Sequence, residues 1–467
     1  MKDPQGAPDS VDLLVNADFL YPVDGVRDVV PGGEVAVRDG RVVYAGVAKP
    51  IGSWAAKERI DGSGMALLPG FVNCHCHTAS TVFRSQTDDG TGGLGLYSIA
   101  FRGESRIAPE DWRLLAVLGV IEMIRAGITT INDFWYAPDA MAETALATGL
   151  RAELATEIFD VDKPALANRD YTRFPRIGER RLREGVEVVE RWHGAGQGLI
   201  TTRLGPHATD TCSGGLFRDT AAEARRLGVG LHCHAAQSCQ EAEVIRAAHG
   251  VGPVAWLAQL GVLGPDWVLA HLTFADAADR DAAAEAGAGY AHCATIYPRR
   301  GVYPDLLAIR QRGVANGLAT DWMQNDPFEA MRNALNAIRI IHGSHEALAT
   351  RDVLEMATAG AAKVMGKAHQ IGRLVPGHEA DMILVDLDQP HIQPFYGDTA
   401  SLVYYARASD VRTSIVRGRV IMRDGEIASV DVEAALAAVK ARAPHFGDQM
   451  RSLGGVSHLP ACPCGMH

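Results

Sequence analysis

The chain has 467 residues, 47% of them hydrophobic and 22% charged, which is the composition of a globular protein with a sizeable core and excludes a disordered, fibrous or disulfide-framed one. Lysine plus arginine (45) against aspartate plus glutamate (56) leaves a formal charge of −11, so the overall field repels nucleic acid and anionic membrane surfaces. Met1 to Leu13 carries Asp3, Asp9 and Asp12 but neither a basic nor an apolar region, so no secretory signal is expected. No stretch nears the roughly 20 apolar residues of a membrane span.

In chain order, Val11–Val15, Glu34–Val37 and Arg41–Tyr44 read as short alternating strands broken by turn residues such as Asp39-Gly40. From about Leu67 to Gly366, apolar runs alternate with helical stretches. The runs are Leu67-Leu68, Thr129–Ile131, Leu199–Leu204, Gly230–His234, Trp267–Ala270, Gly289–Ala291 and Val314–Ala319; Trp112–Ala126, Leu216–Leu227 and Pro327–Ile341 are examples of the helices. Repeated strand-then-helix order predicts a parallel sheet covered by helices and closed as a barrel. After Val375-Pro376-Gly377 strands return at Asp381–Val385, Val411–Val416 and Arg419–Arg423.

The predicted fold is therefore α/β: a (β/α)8 TIM-like barrel with a small composite β-sandwich module built from both chain ends. Residues 1–65 and 377–432 supply the module, 66–376 the barrel and 433–467 a helical and loop tail. Cys74, Cys76, Cys233 and Cys293 lie beside histidines, and Cys462 and Cys464 form the one tight pair away from them. That usage suits reduced thiols in a cytoplasmic protein.

The strongest chemical signal is Pro69-Gly70-Phe71-Val72-Asn73-Cys74-His75-Cys76-His77. Residues two apart on a strand point the same way, so His75 and His77 can present two imidazoles to one metal. His232 and His234, His271, His292 and Asp321 fall at the ends of later strands, where barrel active sites are built. Ligand-type residues at five strand ends point to one metal-dependent site.

These segments resemble the amidohydrolase superfamily, in particular the branch of triazine hydrolases and nucleobase deaminases. The resemblance is carried by His75-x-His77, Gly205-Pro206-His207-Ala208, the His234 strand, Leu269-Ala270-His271, Ala291-His292-Cys293, Thr320-Asp321 and Gly377-His378-Glu379-Ala380-Asp381. It implies one divalent metal ion per subunit, zinc first with iron, cobalt or manganese as alternatives, held by His75, His77, His234 and Asp321. A carboxylated lysine bridges two ions in some members; here Arg203 and His207 stand at the end of the fourth strand without a lysine. It further implies that Asp321 accepts the proton of the attacking water and that His271 bonds the same water or the developing oxyanion. It also places His207, Gln237, His292 and Tyr297 against the substrate.

Gln237 stands where the deaminases carry a glutamate that protonates a ring nitrogen, and an amide cannot shuttle a proton. Ile296 and Tyr297 replace a polar asparagine motif, and Ser80–Gly95 is read as a wall over the site. The expected function is hydrolysis of a carbon–nitrogen or carbon–sulfur bond in a urea, carbamate, thiocarbamate or amide, as in the phenylurea and molinate hydrolases. The alternative is an aminohydrolase or chlorohydrolase of an aromatic N-heterocycle. Its expected partners are a small-molecule substrate and further copies of itself, without nucleic acid or membrane.

Overall fold

Four strands open the chain, β1 (Asp9–Leu20), β2 (Val30–Arg38), β3 (Arg41–Val47) and β4 (Trp54–Pro69), in a computed structural model that describes residues 8–86, 96–134 and 137–453. Shorter ones follow: β5 (Phe71–His77), β6 (Ile128–Phe134), β7 (Arg151–Ile158), β8 (Ile200–Pro206), β9 (Leu231–Ala235), β10 (Trp267–His271), β11 (Gly289–Cys293), β12 (Asn316–Ala319) and β13 (Asp321–Trp322). β14 (Met382–Asp386), β15 (Val411–Val416) and β16 (Arg419–Arg423) come last.

Among the described residues, β5 to β13 form one parallel sheet in the order β12-β11-β10-β9-β8-β7-β6-β5-β13. β12 and β13 are one strand interrupted at Thr320. The second half turns onto β5, Asp321 opposite Cys76 and Trp322 opposite His77, which closes the barrel. Helices such as Pro109–Arg125, Gly214–Leu227, Cys239–His249 and Pro327–His342 cover it. Ser213 and Ser238 start two of them by accepting the Leu216 and Glu241 N–H groups, and Gly228 and Gly250 end the same two at φ 70° and 75°. No helix among the described residues is long and apolar enough to cross a membrane.

The chain ends meet in a second sheet, ordered β16-β15-β14-β4-β1-β2-β3, whose buried side includes Leu13, Val15, Leu67, Met382, Leu384 and Ile415. This corrects the expectation that Leu67-Leu68 belongs to the barrel. The two leucines pair with Leu384 and Ile383 of β14, and the barrel begins at Phe71. Gly70 makes the junction possible, because a Cβ there would lie 2.1 Å from Thr129 Oγ1. The tail is helical over Val432–Arg451 and is tied to the barrel by Arg442, whose Nε donates to Asp111 Oδ1 at 2.8 Å.

β7 carries no apolar run, and the sequence reading passed over it. Its charged residues are buried and paired instead. Arg151, 2% exposed, donates to Asp381 (Nε–Oδ2 3.1 Å) and to Glu379, tying the barrel floor to the module. Removing the guanidinium leaves the buried Asp381 carboxylate with no other side-chain cation among the described residues, and Glu379 with only the longer contacts to Arg417 (3.5 Å) and Arg41 (3.8 Å). Arg151→Ala is therefore expected to cost about 3–5 kcal/mol in denaturant unfolding, whereas Arg113→Ala, at an exposed pair with Glu143, costs no more than about 1 kcal/mol.

Candidate active site and metal centre

Strand alternation puts His75 and His77 of β5, and His232 and His234 of β9, on the inner face of the barrel. His75, His77 and His234 each present a ligand atom, all within 4.8 Å of one another. Closure of the barrel brings Asp321 Oδ1 to 3.4 Å from His75 Nε2 and 3.5 Å from His77 Nε2, while His77 Nε2 and His234 Nε2 are 3.3 Å apart. A tetrahedral ion with ligands at about 2.0–2.1 Å holds its donor atoms about 3.3 Å apart, so these residues fit a single divalent ion. His75 Nε2 is buried with no hydrogen-bond partner among the described residues, as a ligand nitrogen would be.

The outer nitrogen of each imidazole is committed elsewhere. His77 Nδ1 bonds Phe134 O, His234 Nδ1 bonds His207 O at 2.7 Å, and His75 Nδ1 bonds His232 Nε2 at 2.8 Å. A carbonyl only accepts, so His77 and His234 carry their protons on Nδ1 and turn an Nε2 lone pair inward. Burial holds the imidazoles in the neutral form: His75 falls to about 3, and His77, His234 and His271 fall well below their ordinary value. Burial pushes the Asp321 carboxyl up to about 6, partly offset by His77 and Arg300.

A second cluster, His75, His271, Cys293 and Asp321, also brings ligand atoms within 4.8 Å. Burial and the Asp321 carboxylate push the Cys293 thiol well above its ordinary value, which keeps it a weak ligand. His271 Nδ1 is buried without a hydrogen-bond partner among the described residues, 4.0 Å from Asp321 Oδ2. His271 and Asp321 have left-handed backbones, φ 83° and 60°, as do their neighbours Leu272 (47°) and Met323 (67°). Such conformations cost about 1–3 kcal/mol each and gather where geometry serves a site.

These groups floor a cavity that His77, His234, His271 and Asp321 line together with His207, Gln237 and Tyr297. His207 Nδ1 bonds Thr211 Oγ1 at 2.9 Å and its Nε2 lies 3.5 Å from Glu157 Oε1. Gln237 is clamped by its backbone: its N–H donates to Glu241 Oε2 at 2.7 Å and its carbonyl accepts the Tyr297 hydroxyl at 2.9 Å. Its side-chain Nε2 is buried and has no partner among the described residues. Tyr97, Ser238 and Arg300 line the same cavity, and sequence reasoning missed all three. Only Ser238 carried a signal, its place directly after Gln237.

His292 does not join the cavity lining and corrects the sequence expectation. On β11 it is Cys293 that faces the ligand cluster, so alternation turns His292 the other way, where its nitrogens bond Tyr290 Oη (2.7 Å) and Tyr303 Oη (2.8 Å). Arg203 likewise turns aside to Glu153, Nε to Oε2 at 2.6 Å. Within the run Ser80–Gly95, residues 87–95 lie outside the described residues, as do Cys462 and Cys464. His234→Ala and Asp321→Ala are each expected to lose bound metal, measured by plasma mass spectrometry, or nearly all turnover. A full metal complement with retained activity in Asp321→Ala would remove it from the ligand set.

The amidohydrolase family profile matches residues 66–421. A 5-methylthioadenosine/S-adenosylhomocysteine deaminase of Moorella thermoacetica is 35% identical over 439 residues, 92% of this chain and 98% of its own. A 5′-deoxyadenosine deaminase of Methanosarcina mazei is 32% identical over 426 residues, 90% of this chain and 95% of its own. Among solved structures, an adenosine deaminase from Xanthomonas campestris with bound zinc superposes with a TM-score of 0.85 at 25% identity, covering 95% of this chain and all 100% of the other. An atrazine chlorohydrolase from Arthrobacter aurescens complexed with zinc shares the fold, with a TM-score of 0.82 at 22% identity over 92% of this chain and 100% of its own. Metal-ligand geometry, barrel and matches agree: the chain belongs to the amidohydrolase family and is a hydrolase of carbon–nitrogen bonds other than peptide bonds.

Proposed function

We propose that this protein is an aminohydrolase of an aromatic N-heterocycle, and that its substrate is an adenine nucleoside altered at the 5′ position. One observation carries the reading: relatives that it matches nearly end to end at 32–35% identity are named for deaminating methylthioadenosine, S-adenosylhomocysteine and 5′-deoxyadenosine. The urea and carbamate expectation thereby becomes the second reading. His75, His77, His234 and Asp321 would hold a divalent ion, zinc before the others, which would supply the positive charge that acidifies a water molecule and polarises the carbon to be attacked.

The chain's own residues supply the rest. Asp321 takes the proton that the attacking water gives up and passes it to the leaving amine. His271, with Nδ1 free of hydrogen bonds among the described residues, bonds the oxygen on which negative charge develops. Gln237, whose side-chain Nε2 has no partner among the described residues, orients the heterocycle by a side-chain hydrogen bond, with His207 and Tyr297 on the same cavity wall. The amide has no proton to give at neutral pH. That property is the observation favouring the second reading, since a urea or carbamate needs no ring protonation.

The discriminating measurement is product identification by mass spectrometry with zinc-loaded protein. Adenine nucleosides altered at the 5′ position, aminotriazines, aryl ureas, carbamates and thiocarbamates form the panel. Ammonia release from the nucleosides is expected; amine or thiol release from the ureas and carbamates alone would establish the second reading. Gln237→Glu is expected to raise kcat on the nucleoside about tenfold or more, by adding a direct proton donor.

A further inference from the structure

Deamination of a purine consumes a proton at a ring nitrogen as well as one at the leaving amine, and Gln237 supplies neither. An acid lies one hydrogen-bonded step behind the cavity. Tyr97 Oη is 2.9 Å from Asp210 Oδ2 and 2.9 Å from Ser238 Oγ. Tyr97 and Ser238 line the cavity, and Asp210 lies wholly behind them at 0% exposure. The other carboxylate oxygen, Asp210 Oδ1, is buried with no hydrogen-bond partner among the described residues.

We propose that Asp210, Tyr97 and Ser238 form a proton relay that serves the ring nitrogen in place of the residue at Gln237. The inference rests on the deaminase reading above. A chain of hydroxyls has two directions. With Asp210 ionised, Ser238 donates to Tyr97 and Tyr97 to the carboxylate. With Asp210 protonated, its O–H donates to Tyr97 Oη, Tyr97 donates to Ser238 Oγ, and the Ser238 hydrogen turns into the cavity. Ser238 Oγ already accepts the Glu241 N–H at 3.0 Å, which fixes the oxygen while leaving its hydrogen to rotate.

Reversal of the chain moves one proton. The Ser238 O–H breaks as the ring N–H forms, the Tyr97 proton passes to Ser238, and the Asp210 proton passes to Tyr97. Of the two protons of the attacking water, one leaves on ammonia; the other is released to solvent. Asp210, left ionised, regains its proton along the same chain when product departs and water refills the cavity. The ring keeps its N–H, and the balance needs no further reactant.

The surroundings raise the proton affinity of Asp210. Among the described residues the one cation facing it is Arg173, which donates to the Asp210 backbone carbonyl (3.0 Å) and pairs with Asp160 (2.9 Å). Tyr171, Cys233 and the buried Glu241 face it from other elements. Glu241 is itself bound to Thr209 Oγ1 and to the Ala236 and Gln237 N–H groups. Burial pushes Asp210 up to about 6, close to the operating range of a general acid.

Two readouts test the relay on the zinc-loaded full chain. Infrared titration is expected to show a buried carboxylic-acid C=O band near pH 5 that fades toward pH 8, is absent from Asp210→Asn and is shifted in Tyr97→Phe. A titration identical in wild type and Asp210→Asn overturns the relay whatever the substrate. On the nucleoside that releases ammonia, Asp210→Asn and Tyr97→Phe are each expected to lower kcat about 100-fold, with KM and zinc content unchanged. Adding Gln237→Glu to Asp210→Asn restores turnover. Wild-type kcat in both single variants, or a matched loss of zinc and activity that Gln237→Glu does not rescue, overturns it. A wild-type protein that releases no ammonia defeats the deaminase reading, and the infrared titration then decides the relay alone.

Discussion

Asn73 and Thr320 hold the first and last barrel strands together, and the metal centre depends on that clasp. The Asn73 side chain donates through Nδ2 to Thr320 Oγ1 at 2.7 Å and accepts the Thr320 N–H on Oδ1 at 3.1 Å. Thr320 is the residue at which β12 breaks, and its carbonyl accepts the Thr295 hydroxyl at 2.6 Å. The break lets Asp321 turn to φ 60° and pair with Cys76. An uninterrupted strand would send that carboxylate to the alternate face, away from His75 and His77. The asparagine in the Pro-Gly-Phe-Val-Asn segment thus has a structural reason: it spans two strands with a donor and an acceptor in one planar group.

Around that closure the protein spends buried polarity in matched sets. Neutral imidazoles carry no Born penalty, and each has its outer nitrogen satisfied, so their inner lone pairs converge at little cost beyond desolvation. Farther down the barrel, Arg151 with Glu379 and Asp381 and Arg203 with Glu153, and beside the cavity Lys163 with Glu104 and Glu157, bury charges in pairs or triads. These sets fix the register between barrel, module and loops. They also separate structural charge from chemical charge: neither Asp321 nor Asp210 has an arginine or lysine bonded to its carboxylate among the described residues.

Much of this was legible in the sequence because two periodicities carry it. Alternation along β5 puts His75 and His77 on one face, the resemblance to the amidohydrolases singles out His234 and Asp321 beside them, and strand-then-helix order identifies the barrel. Four things were not. β7 hides its strand character because Arg151 and Glu153 find partners far away in the chain and Glu157 finds Lys163 in the connection that follows. Leu67-Leu68 reads as barrel because an apolar run does not say which sheet it joins; Gly70 decides that, through a contact with Thr129. His292 and Cys293 are adjacent, and sequence alone does not tell which of the two faces inward. Tyr97 and Arg300 reach the cavity from the short helical turns Leu96–Ala100 and Pro298–Arg300, too brief to show a periodicity.

Gln237 shows why chemistry can change at this site while the fold does not. Its backbone N–H is held by Glu241 and its carbonyl by Tyr297, so neither clamp senses whether the side chain ends in an amide or a carboxyl. The two are nearly isosteric, and the exchange costs little packing. What changes is the proton inventory of the cavity. A carboxyl at this position is both a donor and a base; an amide is a fixed dipole that orients without titrating. The hydroxyls of Ser238 and Tyr97 already stand beside it with a buried carboxyl behind them. A general acid can therefore be moved from one residue to a hydrogen-bonded chain without shifting a strand, and loss of a catalytic side chain in this scaffold need not mean loss of its reaction.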